Sequence, residues 1–195
     1  MQSVSFYTTE ELADLGLRAF GSNVLISRHA RIYSPDRVSL GHDVRIDDFC
    51  ILSGGKEIRI GSYVHIAAYS AIYGGGGVVM EDFSGLSSRV VVYSQSDDFS
   101  GASFTTPMVP QEFRQSAVYE PVHIGKHAVI GTNNTVMPGV TIGEGAAVGA
   151  HSLVQSNCKP WSIYVGTPAR RVRDRSQNLL RLEEELLSYC TVQSN

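Results

Sequence analysis

Counted from Ile124, every sixth residue along a long stretch of the chain is aliphatic: Ile124, Ile130, Val136, Ile142, Val148 and Val154. Glycine follows four of them, at Gly125, Gly131, Gly143 and Gly149. The fourth residue after each is small or medium-sized: Ala128, Asn134, Val140, Ala146, Ser152 and Cys158. An α-helix would return its apolar side chains at three and four residues, and a flat strand would alternate at two. A period of six means a short strand and a bend, repeated.

The same register runs through the N-terminal half. Its triplets are Phe20, Ile26 and Ile32, then Leu40, Ile46 and Leu52, then Ile60, Ile66 and Ile72, then Met80, Leu86 and Val92. Successive triplets start 20 residues apart, so each coil carries two residues more than three hexads need. The extra residues belong to the third hexad, around Pro35-Asp36, Gly54-Gly55 and the run Gly74 to Gly77. Eighteen hexads therefore predict six triangular coils, each aliphatic pointing into the prism. One coil alone cannot bury its own aliphatics, so stacking supplies the stability. Cys50 falls on an inward position, which predicts a buried structural thiol.

Composition narrows the function classes. The 195 residues are 43% hydrophobic and 18% charged, as in an ordinary soluble domain, with a formal net charge of −3. That charge supplies no basic field for nucleic acid or anionic lipid. No apolar run reaches membrane-spanning length, and residues 1–21 lack the basic-then-apolar layout of a signal peptide, so the expected location is the cytoplasm. The three cysteines, Cys50, Cys158 and Cys190, show no ligand spacing, so neither a disulfide framework nor a metal site is expected.

The repeat resembles that of the hexapeptide-repeat acyltransferases, over residues 20 to about 170. The resemblance implies an all-β solenoid, a left-handed parallel β-helix of about six triangular coils. It also implies a homotrimer, because donor and acceptor sites in that family lie between subunits. A polar, turn-rich loop at about 94–120 interrupts the coils, where the hexad spacing jumps between Met80 and Ile124. Three segments are expected: an N-terminal cap at 1–19, the β-helix at 20–170, and a C-terminal helix and tail at 171–195. Thr8-Thr9-Glu10-Glu11 reads as a capping box on a short helix. Leu179, Leu182 and Leu186 recur at helical spacing in an amphipathic segment from Ser176 to Tyr189. Both helices are expected to cap the open ends and edges of the solenoid.

The family implies acetyl-CoA as donor and a sugar as acceptor. In galactoside- and maltose-type members a histidine at the start of the extruded loop is the base. This chain has Ser96-Asp97-Asp98 there instead. Two arrangements would replace that histidine. His65, facing outward beside Gly85 one coil on, would meet the Asp97 loop of a neighbouring subunit and serve a hydroxyl acceptor. Alternatively the acceptor is an amine, which needs only positioning and proton loss, and Asp97 or Asp98 would suit an amino sugar. A plainer reading leaves His65 as a solvated surface residue and makes the aspartates caps of loop turns.

For the donor, the bare outer surface at Gly131, Thr132, Gly149 and Ala150 would accommodate an extended pantetheine arm. The segment Val165 to Arg171 resembles the family's closing signature, near which the nucleotide end of CoA lies. Thr167 belongs to it, and Arg170, Arg171 and Arg173 would pair with phosphates. The stretch Tyr7 to Gly16, with the loop Ser94 to Gly101, resembles sugar acetyltransferases of bacterial surface-polysaccharide clusters, which implies lipopolysaccharide or O-antigen biosynthesis and an acceptor such as a nucleotide-linked amino sugar. Two rivals remain. One is a zinc-dependent carbonic anhydrase-like enzyme, for which His123, His127 and His151 would have to converge; the other is a non-catalytic scaffold. His127 and His151 are expected on different faces and His123 at a corner, so no metal is expected.

Overall fold

The computed structural model describes residues 5–114 and 117–193. Short parallel strands wind around a triangular prism whose three walls are continuous sheets. The first sheet holds Ala19–Phe20, Val38–Leu40, Ile58–Ile60, Val78–Met80, Val122–Ile124 and Thr141–Ile142. The second runs Leu25–Ile26, Arg45–Ile46, His65–Ile66, Gly85–Leu86, Val129–Ile130 and Ala147–Val148, and the third Arg31–Tyr33, Ile51–Ser53, Ala71–Tyr73, Val91–Tyr93, Thr135–Val136 and Leu153–Val154. Six coils are complete. A seventh begins at Cys158, bridged to Ile142, and adds Ser162–Val165 to the second sheet.

Each coil places its partners 20 residues away in the N-terminal half, as in Ile26↔Ile46 and Ile46↔Ile66, and 18 away where the extra residues are gone, as in Ile124↔Ile142. Sixteen of the eighteen hexad aliphatics are buried; Phe20 and Ile32, in the outermost coil, are partly buried and pack on the same core. Cys50 is fully buried and its thiol is pushed up to about 11 by that burial, which suits a structural role.

The corners explain several side chains that the period leaves open. At the corner between the first and second sheets, Asn23, Asp43, Tyr63, Phe83, His127 and Trp161 all adopt positive φ, a conformation that costs a non-glycine residue about 1–2 kcal/mol. Stacking offsets part of that cost: Tyr63 lies on Phe83 with ring centroids 4.6 Å apart, and Phe83 on His127 at 5.1 Å. A second ladder, His29, Phe49 and Tyr69, stacks at the next corner.

Helix α1 (Thr9–Asp14) has the expected capping box: Thr8 Oγ1 accepts from Glu11 N, and Glu11 Oε2 from Thr8 N at 2.8 Å. It buries Leu12 over the first coil. Helix α2 (Asn178–Gln193) docks on the side of the prism rather than its end, through Glu183 to Lys126 and His127. Between the coils and α2 lies a strand not anticipated in the sequence, Arg170–Asp174, which folds back antiparallel on Ser162–Val165 and covers the edge of the second sheet.

Candidate active site

The extruded loop leaves the third sheet at Tyr93 as a two-stranded ribbon, Gln95–Ser96 paired antiparallel with Val118–Tyr119. Its root is fixed by buried Ser94, whose hydroxyl donates to Tyr73 O at 2.7 Å and accepts from Gly76 N at 3.0 Å. In the glycine run beneath, this junction requires Gly76, whose Cβ would strike backbone, and crowds Gly75. A Cβ on Gly75 would lie 1.7 Å from Gln95 Oε1, and one on Gly76 2.3 Å from Ser94 O.

At the ribbon's base opens a cleft of about 420 Å³, within the range of small-ligand sites. One wall is aromatic and thioether: Tyr73 and Tyr93, stacked with centroids 5.1 Å apart, and Met137, which follows the strand paired with Val92. The opposite wall is the loop, with Gln95, Ser96 and Asp97. The two aspartates at this point differ. Asp98 turns into the loop and accepts from the backbone N–H groups of Ser100 at 2.8 Å and Ser103 at 2.9 Å. The Ser100 hydroxyl first, and then these backbone N–H groups, hold its carboxyl below the usual range. Asp97 is exposed, lines the cleft, and its carboxylate has no hydrogen-bond or ion-pair partner among the described residues.

His65 sits on the second sheet with Gly85 directly beside it in the ladder, and a Cβ on Gly85 would meet nothing closer than His65 O at 3.5 Å. The ring is about half exposed and its Nε2 lies 2.8 Å from Asp47 Oδ2, while Arg45 Nε donates to Asp47 Oδ1 at 2.7 Å. Partial burial pushes the Asp47 carboxyl up, but the bonds from Arg45 and His65 outweigh it and leave the group below its ordinary value. The hexad period does not indicate this partner, because Asp47 lies at a corner of the preceding coil. His65 and Asp97 are on different walls of the prism, so one chain does not bring them together.

The donor candidates form a column. Ser87 N donates to Ile130 O, Gly131 N to Val148 O, and Gly149 N to Tyr164 O, so Gly131-Thr132, Gly149-Ala150 and Thr167 follow one another along the edge between the second and third sheets. Glycine there also serves coil packing: a Cβ on Gly131 would lie 2.9 Å from Ala150 N, and one on Gly149 2.7 Å from Val165 Cγ1. Thr132 Oγ1 donates to Ser88 O at 2.7 Å, and Thr167 Oγ1 to His151 O at 3.3 Å. Arg170 and Arg171 are carried on the return strand rather than on the end of a coil. Arg171 donates to Ser162 Oγ and Asp174; among the described residues, the Arg170 side chain donates only to the carbonyl of Ala169, at 3.2 Å.

The three further histidines are dispersed. His127 is buried, its Nε2 2.8 Å from Glu183 Oε2; His151 is at another corner, 3.3 Å from Asn133 Nδ2. His123 occupies the middle of strand Val122–Ile124 rather than a corner, with Nε2 2.9 Å from Glu81 Oε1. Among the described residues no group of three or more His, Cys, Asp or Glu side chains is placed to hold a metal ion.

Stacked six-residue rungs, an extruded loop at a cleft, and a glycine-lined outer column define a hexapeptide-repeat solenoid. The bacterial transferase hexapeptide family (six repeats) matches over residues 121–156. The chain is 43% identical over 174 residues to dTDP-4-amino-4,6-dideoxy-D-glucose acyltransferase from Escherichia coli, covering 89% of this chain and 90% of that one. It belongs to the hexapeptide-repeat acyltransferases, and it is an acyltransferase. Among solved structures, the N-acyltransferase AntD from Bacillus cereus, in complex with dTDP and 3-hydroxybutyryl-CoA, superposes with a TM-score of 0.91 at 47% identity, over 96% of this chain and 98% of that one. AntD variants with one serine or one aspartate replaced are similar to the same degree, two of them bound to dTDP-4-amino-4,6-dideoxyglucose and coenzyme A. A hexapeptide-repeat acetyltransferase from Vibrio cholerae, at 21% identity and a TM-score of 0.61, shares the fold.

Proposed function

We propose that the protein transfers an acetyl group from acetyl-CoA to the amine of a nucleotide-linked amino sugar of the dTDP-4-amino-4,6-dideoxyhexose kind, in surface-polysaccharide (lipopolysaccharide O-antigen) synthesis in the cytoplasm. The observation that carries this reading is the carboxylate of Asp97, without a partner among the described residues, at the rim of an aromatic cleft at the loop root. The substrates of the E. coli relative and of AntD support the same acceptor class. Asp97 accepts a hydrogen bond from the amine and orients its lone pair toward the thioester carbonyl. The amine nitrogen forms the new C–N bond, the C–S bond breaks, and the ammonium proton leaves through Asp97 toward the departing thiolate, yielding the amide and CoA thiol. Asp98 serves as a structural brace for the loop.

The donor lies along the column Gly131, Thr132, Gly149, Ala150 and Thr167, with Arg170 and Arg171 at its nucleotide end; no metal takes part. The functional unit is a homotrimer built from three segments per chain, the cap at 1–19, the solenoid at 20–170 and the helical tail at 171–195. Half-exposed Leu182 and Leu186 on α2, beside the cleft that His65 enters, suit burial by a neighbour. No helix among the described residues is long and apolar enough to cross a membrane.

A second reading rests on the 2.8 Å contact between His65 and Asp47: a carboxylate-oriented imidazole is the device a hydroxyl acceptor would need. One panel separates the two. dTDP-, UDP- and GDP-linked amino sugars and free glycosides are offered with acetyl-CoA, and thiol release is measured. Amino-sugar turnover that falls at least about 100-fold in Asp97→Asn and persists in His65→Ala supports N-acylation. Turnover of glycosides alone, abolished in His65→Ala, would overturn it.

A further inference from the structure

The acceptor cleft has two chemically unlike walls, and their placement specifies more than an amine. Asp97 brings to the loop wall a carboxylate with no counter-charge among the described residues. A pyrophosphate seated against it would be repelled, so the diphosphate and nucleoside of the acceptor lie away from this cleft and its sugar end lies within it. Facing the loop, Tyr73, Tyr93 and Met137 stand one above another on successive coils, each one residue past an inward core aliphatic (Ile72, Val92 and Val136). The two rings are locked against each other, and Met137 is half buried against the core. At Met137 the wall carries no side-chain donor, and its thioether is only a weak acceptor.

We propose that this Tyr73–Tyr93–Met137 column is the specificity wall of the acceptor site, receiving the 6-deoxy edge of an amino sugar whose amine faces Asp97 and thereby selecting it over the 6-hydroxy sugar. The proposal rests on the acceptor assigned above. A methyl group on that edge meets ring edges and the thioether. A hydroxymethyl group there exchanges its water partners for a methionine side chain that offers only a weak acceptor. An apolar pocket rejects an added hydroxyl by at most about 100-fold, so the selection is graded rather than absolute.

Two measurements on the full-length protein test it. With methionine methyl groups labelled with carbon-13, the chain shows four methionine signals, and the one lost in Met137→Leu is assigned to that residue. dTDP-4-amino-4,6-dideoxyglucose should shift the Met137 signal at concentrations where dTDP alone leaves it in place. An equal shift with dTDP alone would place the nucleoside in the cleft and overturn the assignment. The wild type should prefer the 6-deoxy acceptor over dTDP-4-amino-4-deoxyglucose in kcat/KM, and Met137→Gln, which adds an amide able to pair with the hydroxyl, should narrow that preference about tenfold. An unchanged ratio in Met137→Gln overturns the specificity wall, and Met137→Leu, keeping an apolar group of similar volume, should retain the wild-type ratio. Perturbation of Met137 without turnover would overturn the acceptor reading alone, whereas turnover without perturbation would overturn the wall alone.

Discussion

Glycine does two different jobs on the second position of a hexad and on its outer face, and they separate by what a single carbon would strike. At Gly41 a Cβ would lie 2.6 Å from the carbonyl carbon of Gly61 and the hydroxyl of Ser62, on backbone that the ladder holds in place. The coils cannot part locally without breaking their hydrogen bonds. Gly41→Ala is therefore expected to destabilise the fold by about 1–3 kcal/mol, as other overpacking changes do. Gly85 has ordinary strand conformation and its Cβ would meet only His65 O, at 3.5 Å. Gly85→Ala should leave stability within about 0.5 kcal/mol of the wild type. Urea midpoints of the two variants check the contrast; equal losses would mean that the coils tolerate glycine replacement by some general relaxation. The contrast has a functional side, since the space at Gly85 is the space beside His65.

Among the described residues, the ion pairs that join helix α2 to the prism converge on one acidic side chain. Glu183 reaches Lys126 Nζ and His127 Nε2, at 2.8 Å for the latter, while Arg175 Nη1 donates to the carbonyls of His127 at 2.9 Å and Gly145 at 3.0 Å. Burial pushes the Glu183 carboxyl up, but the bonds from Lys126 and His127 prevail and its pKa is lowered. A depressed carboxyl contributes stability above its unfolded pKa, near 4.5, and loses it as pH falls through the lower folded value. Amide exchange in α2 should thus accelerate relative to the coils as pH drops below about 4.5. Glu183→Gln should remove that pH-dependent difference and cost about 1–3 kcal/mol of docking at neutral pH, since buried His127 loses a charged partner. Parallel exchange profiles in the two proteins would remove this latch. Leu179, Leu182 and Leu186 made the helix legible in the sequence, yet nothing in their spacing indicated where it docks. His127 and Glu183 are 56 residues apart, and such a pairing follows only once the coils set the corner. The capping box of α1 needed no such context, because all its partners lie within one turn.

At the scale of the whole molecule the six-residue period was enough to place the aliphatics in the prism, because in a solenoid each coil meets only its neighbours and the register repeats. The candidate site was legible in part. Asp97 and the outer column are candidates from loop position and small residues, while Tyr73, Tyr93 and Met137 stand in equivalent places of successive coils without a pattern that says they face the loop. The pairing of His65 with Asp47 and the return strand at Arg170–Asp174 depend on corners and on the last coil's edge, where the period carries no information. What the single chain leaves apart bears directly on assembly. The Asp97 cleft opens on the third sheet at the loop, whereas Ala150 is exposed farther along the solenoid, at the corner with the second. If each site takes its loop from one chain and its donor column from the next, the two functions complement in trans. Asp97→Asn removes the acceptor contact, and Ala150→Trp fills the donor column from outside without touching the core. Each variant alone should be inactive. Unfolded together in equal amounts and refolded, they should regain about a quarter of the wild-type rate, the fraction of sites in which both parts are intact when chains associate at random in a closed ring. Light scattering should report three chains per particle in the same samples. A mixture that stays inactive, with trimers present, would place loop and donor column of each site within one chain.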